Sequence, residues 1–398
     1  LTREIAAEAG LAVDEAAFHV EMTKQRERAR AERLAKDISG WSADLFGELT
    51  AEATQFDGYD TLSESAKVIA LSDGEELADA IATDEAGESK DGVLVVLDRT
   101  PFYAEMGGQV ADHGYITNGD AKLKVTQVKK TPKGYFVHTC ELLDGTIHVG
   151  DEVTASVDTQ RRMAICRNHT ATHLLQKALR EVLGEHVHQA GSYQDDKLTH
   201  FDFTHFSAVT PEELRKVEDR VNEKIFEALP VTIQNLPIEE AKKMGAMALF
   251  GEKYGSVVRV VDAGGWSTEF CGGTHVTNTA QIGCFKILSE SSVAAGIRRI
   301  EATTAYGVLN LLDERTEQLA KTAVALKANN LKDAPARAEA LTAELKETNK
   351  QLDILKAEMA SAKIDGLFEN AADIDGVRIV SAYLTGTGAD TLRDMVDK

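Results

Sequence analysis

Two short stretches carry residues that could do chemistry together. In Arg167-Asn168-His169-Thr170-Ala171-Thr172-His173-Leu174-Leu175 two histidines stand four apart, and in Cys271-Gly272-Gly273-Thr274-His275 a cysteine and a histidine stand four apart. Leu174, Leu175 and Leu179 give the first stretch an apolar helical face, so both imidazoles lie on one side of one helix. A thiolate and a third imidazole brought to them by the fold would complete a tetrahedral donor set of the kind zinc prefers. A lone His-x-x-x-His on an apolar helix is more often two partly exposed histidines, and a lone cysteine in a glycine-rich turn is usually just buried. Two equally spaced pairs drawn from eleven histidines and four cysteines favour a metal site made of His169, His173, Cys271 and His275.

The residues around these donors extend the pattern. His-Thr-Ala-Thr-His-Leu-Leu, Cys-Gly-Gly-Thr-His-Val and Ser292-Val293-Ala294-Ala295-Gly296-Ile297-Arg298-Arg299-Ile300-Glu301 resemble the editing domain of the alanyl-tRNA synthetase family. Thr100 to Gln109, Val13-Asp14-Glu15 and Gln25 to Arg30 also resemble that family, in the family's order. The resemblance implies a C-terminal fragment with the editing domain and the oligomerisation helices, lacking the aminoacylation domain. Its activity would be hydrolysis of Ser-tRNA(Ala) and Gly-tRNA(Ala), while the full-length protein attaches alanine to tRNA(Ala) using ATP. The resemblance implies Zn2+ as the cofactor here, with ATP and Mg2+ needed only by the absent domain.

The same resemblance assigns roles. Thr172 would offer its hydroxyl to the serine side chain, against the bland alternative of a threonine bonded to its own helix. Gln189 matches a polar pocket residue, and Cys271 serves the site as a thiolate ligand rather than a nucleophile. Arg167, Arg298 and Arg299 are the candidate tRNA contacts, although alternation along a strand aims the last two at opposite faces. His200 stands where the family carries an arginine before Asp202, and Met106 stands where a small polar residue is expected. Gly107-Gly108-Gln109 most simply marks a turn needing unusual backbone angles; a loop approaching the substrate is the alternative. Rival readings are a free-standing or threonyl-type editing deacylase and a noncatalytic zinc-stabilised RNA-binding or assembly module. A metalloprotease is excluded, because Thr170 occupies the place of the general-base Glu in His-Glu-x-x-His.

Composition sets the bounds. No apolar run approaches bilayer length and no signal-peptide layout is present, so no membrane partner is expected. Cys140, Cys166, Cys271 and Cys284 lack small-protein disulfide spacing, which points to the cytoplasm. A net charge of −21 opposes nonspecific nucleic-acid binding, and no DNA partner is expected. Basic residues cluster nonetheless at Lys122, Lys124, Lys129, Lys130 and Lys133, and at Arg161, Arg162, Arg167, Lys177 and Arg180. A local positive rim around a metal pocket would suit one phosphate-bearing substrate.

These motifs need elements to hold them. Residues 1–38 read as helix, which the resemblance makes the tail of the tRNA-recognition domain, and short apolar runs over 39–158 suggest a small β-barrel-like part or a sandwich. Within it the acidic segment 72–91 has fair helix propensity at Glu75 to Ile81 and no assigned function. Alternating helices and strands over 159–304 describe a zinc-binding α+β editing core. Leu309, Leu312, Thr316 and Leu319, then Leu341, Leu345, Thr348 and Leu352, step by threes and fours, so 305–365 reads as an antiparallel heptad helical hairpin, with Asn329-Asn330 and Pro335 between its helices and Asp365-Gly366 at its end. That hairpin could support a homodimer. Over 366–398, Val377 to Leu384 reads as a strand and Asp390 to Val396 as the beginning of a helix, which by the same resemblance would open the C-terminal tRNA-binding domain. The fold class is therefore α+β, with the barrel-like part, the zinc-binding core and the hairpin in that order.

Overall fold

The computed structural model describes residues 45–83, 88–244, 255–369 and 371–383, with the single positions 10, 17, 22 and 24. The helix expected over the first 36 residues and the one expected at Asp390 to Val396 lie outside them. The chain separates into two compact units, Leu1–Val308 and Leu309–Lys398.

The first unit begins with a closed barrel. Strands β1 (Ser63–Ser72), β2 (Lys90–Leu97), β3 (Gly114–Thr117), β4 (Ala121–Lys130), β5 (Phe136–His148) and β6 (Glu152–Val157) pair antiparallel in the order β6-β3-β4-β5-β2-β1. β6 returns to pair with β1, so six strands close without a free edge. Alternation drives this: Leu123 and Val125 on β4 point inward with Val93, Val95 and Leu97 of β2, while Lys122 and Lys124 point outward. The first basic cluster is thus part of the outer barrel wall. Lys124 meets Glu141 at 3.6 Å, and Lys122 and Lys130 cap the rings of Tyr115 and Phe136. The helix considered at Glu75 to Ile81 is corrected. Ala80–Ala82 is a strand on β5, because pairing with Thr146–His148 buries Ile81 in the barrel core, which helix propensity does not weigh.

Helix α1 (Thr159–Leu183) leaves the barrel directly, capped by the Asp158 side chain accepting from the Arg161 N–H. It packs with α2 (Pro211–Phe226) on an antiparallel sheet ordered β7-β8-β13-β12: β7 (Gln189–Gln194), β8 (Thr199–Thr204), β13 (Ile297–Thr304) and β12 (Phe285–Ala294). Thr210 and Glu213 form a reciprocal capping box at the start of α2, with Pro211 in the first turn. Leu174, Leu175 and Leu179 meet Val217, Val221 and Ile225 and the sheet residues Phe201, Phe203 and Ile300. That apolar face of α1 fixes which way His169 and His173 look. A smaller sheet, β9 (Val231–Pro237), β10 (Val257–Ala263) and β11 (Ser267–Phe270), runs antiparallel and delivers the chain to Cys271. Between β9 and β10 lies α3 (Ile238–Lys243).

In the second unit, α4 (Tyr306–Ala325) continues from before its boundary, and α5 (Ala334–Glu369) follows a turn capped by Asn330. Pro335 sits in the first turn of α5 rather than between helices, where its missing N–H costs nothing. The helix also runs through Asp365-Gly366 instead of ending there. Leu309, Leu312, Leu319, Leu345, Leu352 and Leu355 are exposed, so among the described residues the heptad faces do not bury one another. Ala372–Ile374 and Val377–Ile379 form a small hairpin after α5.

Candidate metal centre

α1 and the turn after β11 bring the four expected donors together. His169, His173, Cys271 and His275 each offer one ligand atom, and these atoms lie within 4.8 Å of one another. Cys271 Sγ is 3.4 Å from His169 Nε2 and 3.3 Å from His275 Nε2. Bonds of about 2.0 to 2.3 Å at tetrahedral angles would hold such atoms about 3.5 Å apart. The donor chemistry and the spacing therefore fit zinc.

The outer partners set the rings in place. His169 Nδ1 lies 2.8 Å from Gln109 Oε1, and His275 Nδ1 lies 3.1 Å from Thr170 Oγ1. In both rings the remaining nitrogen, Nε2, faces the sulfur, as a metal ligand with an oriented outer nitrogen requires. Burial holds all three imidazoles neutral, with the neighbouring rings and Arg259 adding to the effect at His169 and His275; His173 is pushed down to about 3. Neutral imidazole is the ligating form. Burial also pushes the Glu269 carboxyl up to about 8, and it lies 3.7 Å from His173 Nε2.

The cysteine turn is held from three sides. Arg259 Nη1 donates to the carbonyls of Cys271 and Gly273 at 2.8 Å each, and its guanidinium lies 4.0 Å over the Tyr59 ring. Tyr59 in turn donates to the Gly272 carbonyl at 2.5 Å. Gly273 is needed here for space, because a Cβ would stand 2.1 Å from His169 Cε1. Arg259, Tyr59 and Glu269 were not expected from the sequence: Tyr59 lies far away in the chain, and Arg259 and Glu269, though they come shortly before Cys271, belong to no ligand-like spacing. Gln109 was singled out only as part of the Gly107-Gly108-Gln109 turn, with a loop approaching the substrate as the alternative.

The other candidate residues lie elsewhere. The Thr172 hydroxyl donates to the Asn168 carbonyl at 2.8 Å and meets Thr199 Oγ1 at 2.7 Å, in the buried interior between α1 and β8. Gln189 opens β7, half-buried, paired with Phe203. Arg167 Nε donates to the Gln281 carbonyl at 2.9 Å. Arg298 grips Glu290 through two bonds of 2.5 and 2.8 Å, and Arg299 grips Asp202 through two of 2.6 and 2.8 Å. His200 meets Glu301 at 3.3 Å. Arg161 pairs with Asp196 at 3.1 Å and Arg162 is buried against Asp112, so these two members of the second basic cluster have their countercharge within the chain.

Comparison with known proteins follows the same division. Residues 1–161 match the family model of class II (A) tRNA synthetases, and residues 258–301 match that of the threonyl and alanyl tRNA synthetase second additional domain. The alanine–tRNA ligase of Acetivibrio thermocellus is 47% identical over 398 residues, that of Bacillus velezensis 46% over 397 and that of Shouchella clausii 45% over 397. Each match covers 100% of this chain and 44% of the relative, so the chain spans less than half the length of these ligases.

Proposed function

The chain belongs to the alanyl-tRNA synthetase family, and on that premise we propose that residues 39–304 are its proofreading part, a zinc-dependent deacylase that removes serine or glycine from tRNA(Ala). The convergence of His169, His173, Cys271 and His275 within 4.8 Å carries this reading, since two of them fall inside the match to the second additional domain. The physical need is plain. A synthetic pocket shaped for a methyl group cannot strongly reject glycine, which is smaller, or serine, which adds only a hydroxyl, so a second hydrolytic site is required.

Zinc bound by these four residues would brace the pocket if all four stay attached, and would polarise a carbonyl or activate water if one yields. The chain's own groups do the rest. The buried imidazoles stay neutral, and Gln109 and Thr170 orient two of them. Gln189 contributes a polar group for selecting the amino acid. Thr172 selects serine only if its hydroxyl turns from Asn168 and Thr199, and Arg298 and Arg299 meet tRNA phosphates only if they exchange their carboxylates. Alanine attachment with ATP and Mg2+ belongs to the longer ligases. A cytoplasmic location and a homodimer through the exposed leucines of α4 and α5 complete the proposal.

A noncatalytic zinc-stabilised RNA module is the second reading, favoured by the paired arginines and the closed donor set. Single-turnover hydrolysis of seryl-, glycyl- and alanyl-charged tRNA(Ala) separates the two. Rapid loss of serine and glycine with alanine retained supports the deacylase; binding without hydrolysis of any ester supports the module.

A further inference from the structure

The loop Met106 to Gln109 belongs to the barrel part of the chain, yet its last residue reaches the donors. Gly107 and Gly108 have φ of +62° and +88°, and a Cβ on Gly108 would stand 2.4 Å from the Ser192 carbonyl oxygen. The glycines thus let the loop lie flat against β7. There the Gln194 N–H donates to the Gly108 carbonyl at 2.8 Å, and the Val110 N–H donates to the Gln194 carbonyl at 3.1 Å. Gln109 is delivered into the interior with no exposed surface.

Both polar atoms of its side-chain amide are then used around the metal centre. Gln109 Oε1 accepts from His169 Nδ1 at 2.8 Å and from the Thr274 N–H at 2.8 Å. Gln109 Nε2 donates to Thr274 Oγ1 at 2.9 Å, an oxygen that also accepts from the Cys166 thiol at 3.2 Å. One amide therefore touches the helix that carries two donors and the turn that carries the other two. An acceptor at Nδ1 puts the proton of His169 there and leaves Nε2 as the nitrogen facing Cys271.

We propose that Gln109 is the positioning residue of the metal centre: it selects the His169 tautomer and locks the Cys271–His275 turn onto α1, making the barrel loop part of the site. This rests on the zinc reading of the four donors, but its core, the tautomer, exists without metal. Its test is Gln109→Met, which keeps the volume and removes the acceptor, beside Gln109→Glu, which keeps an oxygen toward His169 and Thr274. The full chain is used, with zinc affinity measured by chelator competition and the His169 ring followed by 15N NMR with and without zinc. Gln109→Met should lose roughly ten- to a hundredfold in zinc affinity and should no longer hold the proton on Nδ1. Gln109→Glu should stay within a few-fold of the unaltered chain, and it decides the matter if Gln109→Met does not fold. Unaltered zinc affinity and tautomer in Gln109→Met, or tenfold weaker zinc binding in Gln109→Glu, would overturn the proposal. Should the unaltered chain bind no zinc while Gln109→Met still shifts the metal-free ring, the zinc reading fails and the positioning of His169 stands.

Discussion

The metal centre and the strand that carries Arg298 and Arg299 differ in how their polar groups are balanced. At the centre, three imidazoles kept neutral by burial and one cysteine sulfur face a common point. On β13, each guanidinium already grips a carboxylate in a two-bond fork. On the proposed zinc reading, the first group takes its cation from outside. The second is complete as it stands, so any phosphate must displace Glu290 or Asp202. A site for a metal and a surface for an anion can thus be told apart by whether the chain supplies the countercharge itself.

The sharpest way to break this contrast is Cys271→Ala. Zinc retention should fall, and serine removal should slow by at least about a hundredfold, beyond the span of outer-shell changes; the two cores should keep part of the fold. Zinc assay and single-turnover deacylation check this, and unaltered rates would remove Cys271 from the site. Next comes the buried pair of Arg162 and Asp112, which extends the self-balanced pattern into the interior. Arg162 also donates to the carbonyls of Gly58 and Pro101 at 2.7 and 2.9 Å. Arg162→Met leaves Asp112 and both carbonyls without these donors, and should lower stability by about 3 to 5 kcal/mol, read from urea midpoints.

His138 supplies the control of a buried histidine outside the metal centre. It is fully buried in the barrel, bonded to Thr100 Oγ1 at 2.8 Å and the Val95 carbonyl at 3.0 Å, and burial lowers its pKa from 6.5 to about 4. The unfolded chain takes up the proton first as pH falls. The stability this group contributes is therefore present above pH 6.5 and drains away toward pH 4, by about 3 kcal/mol in total. Urea midpoints across that range should show the slope, and His138→Gln should flatten it. The smallest effect belongs to Arg299→Ala. If its pairing with Asp202 is its main work, stability should drop by no more than about 1 kcal/mol, with deacylation within about tenfold of the unaltered chain. A larger rise in KM for tRNA would show that the arginine leaves Asp202 for a phosphate.

Much of the centre was legible because its signal is local. The four-residue spacing of His169 and His173 acts through one helix, and the apolar run at Leu174, Leu175 and Leu179 says which face is inward. The capping box at Thr210 and Glu213 and the alternation of Leu123 and Val125 are equally short-range, so α2 and the barrel strands could be placed from them. What was not legible depends on partners far away in the chain. Nothing near Arg299 announces Asp202 as its mate on the neighbouring strand, and nothing near Arg162 announces Asp112. Gln109 looked like the end of a turn, since its role exists only once β7 has brought that turn against α1. The Ala80–Ala82 strand was hidden for the same reason, its stability coming from β5.

X-ray absorption at the zinc edge of the full chain, with metal content measured on the same sample, is the most direct test. The account predicts one zinc per chain with one sulfur at about 2.3 Å and three nitrogens at about 2.0 Å. No bound zinc, or a shell of oxygens or of several sulfurs, would contradict it.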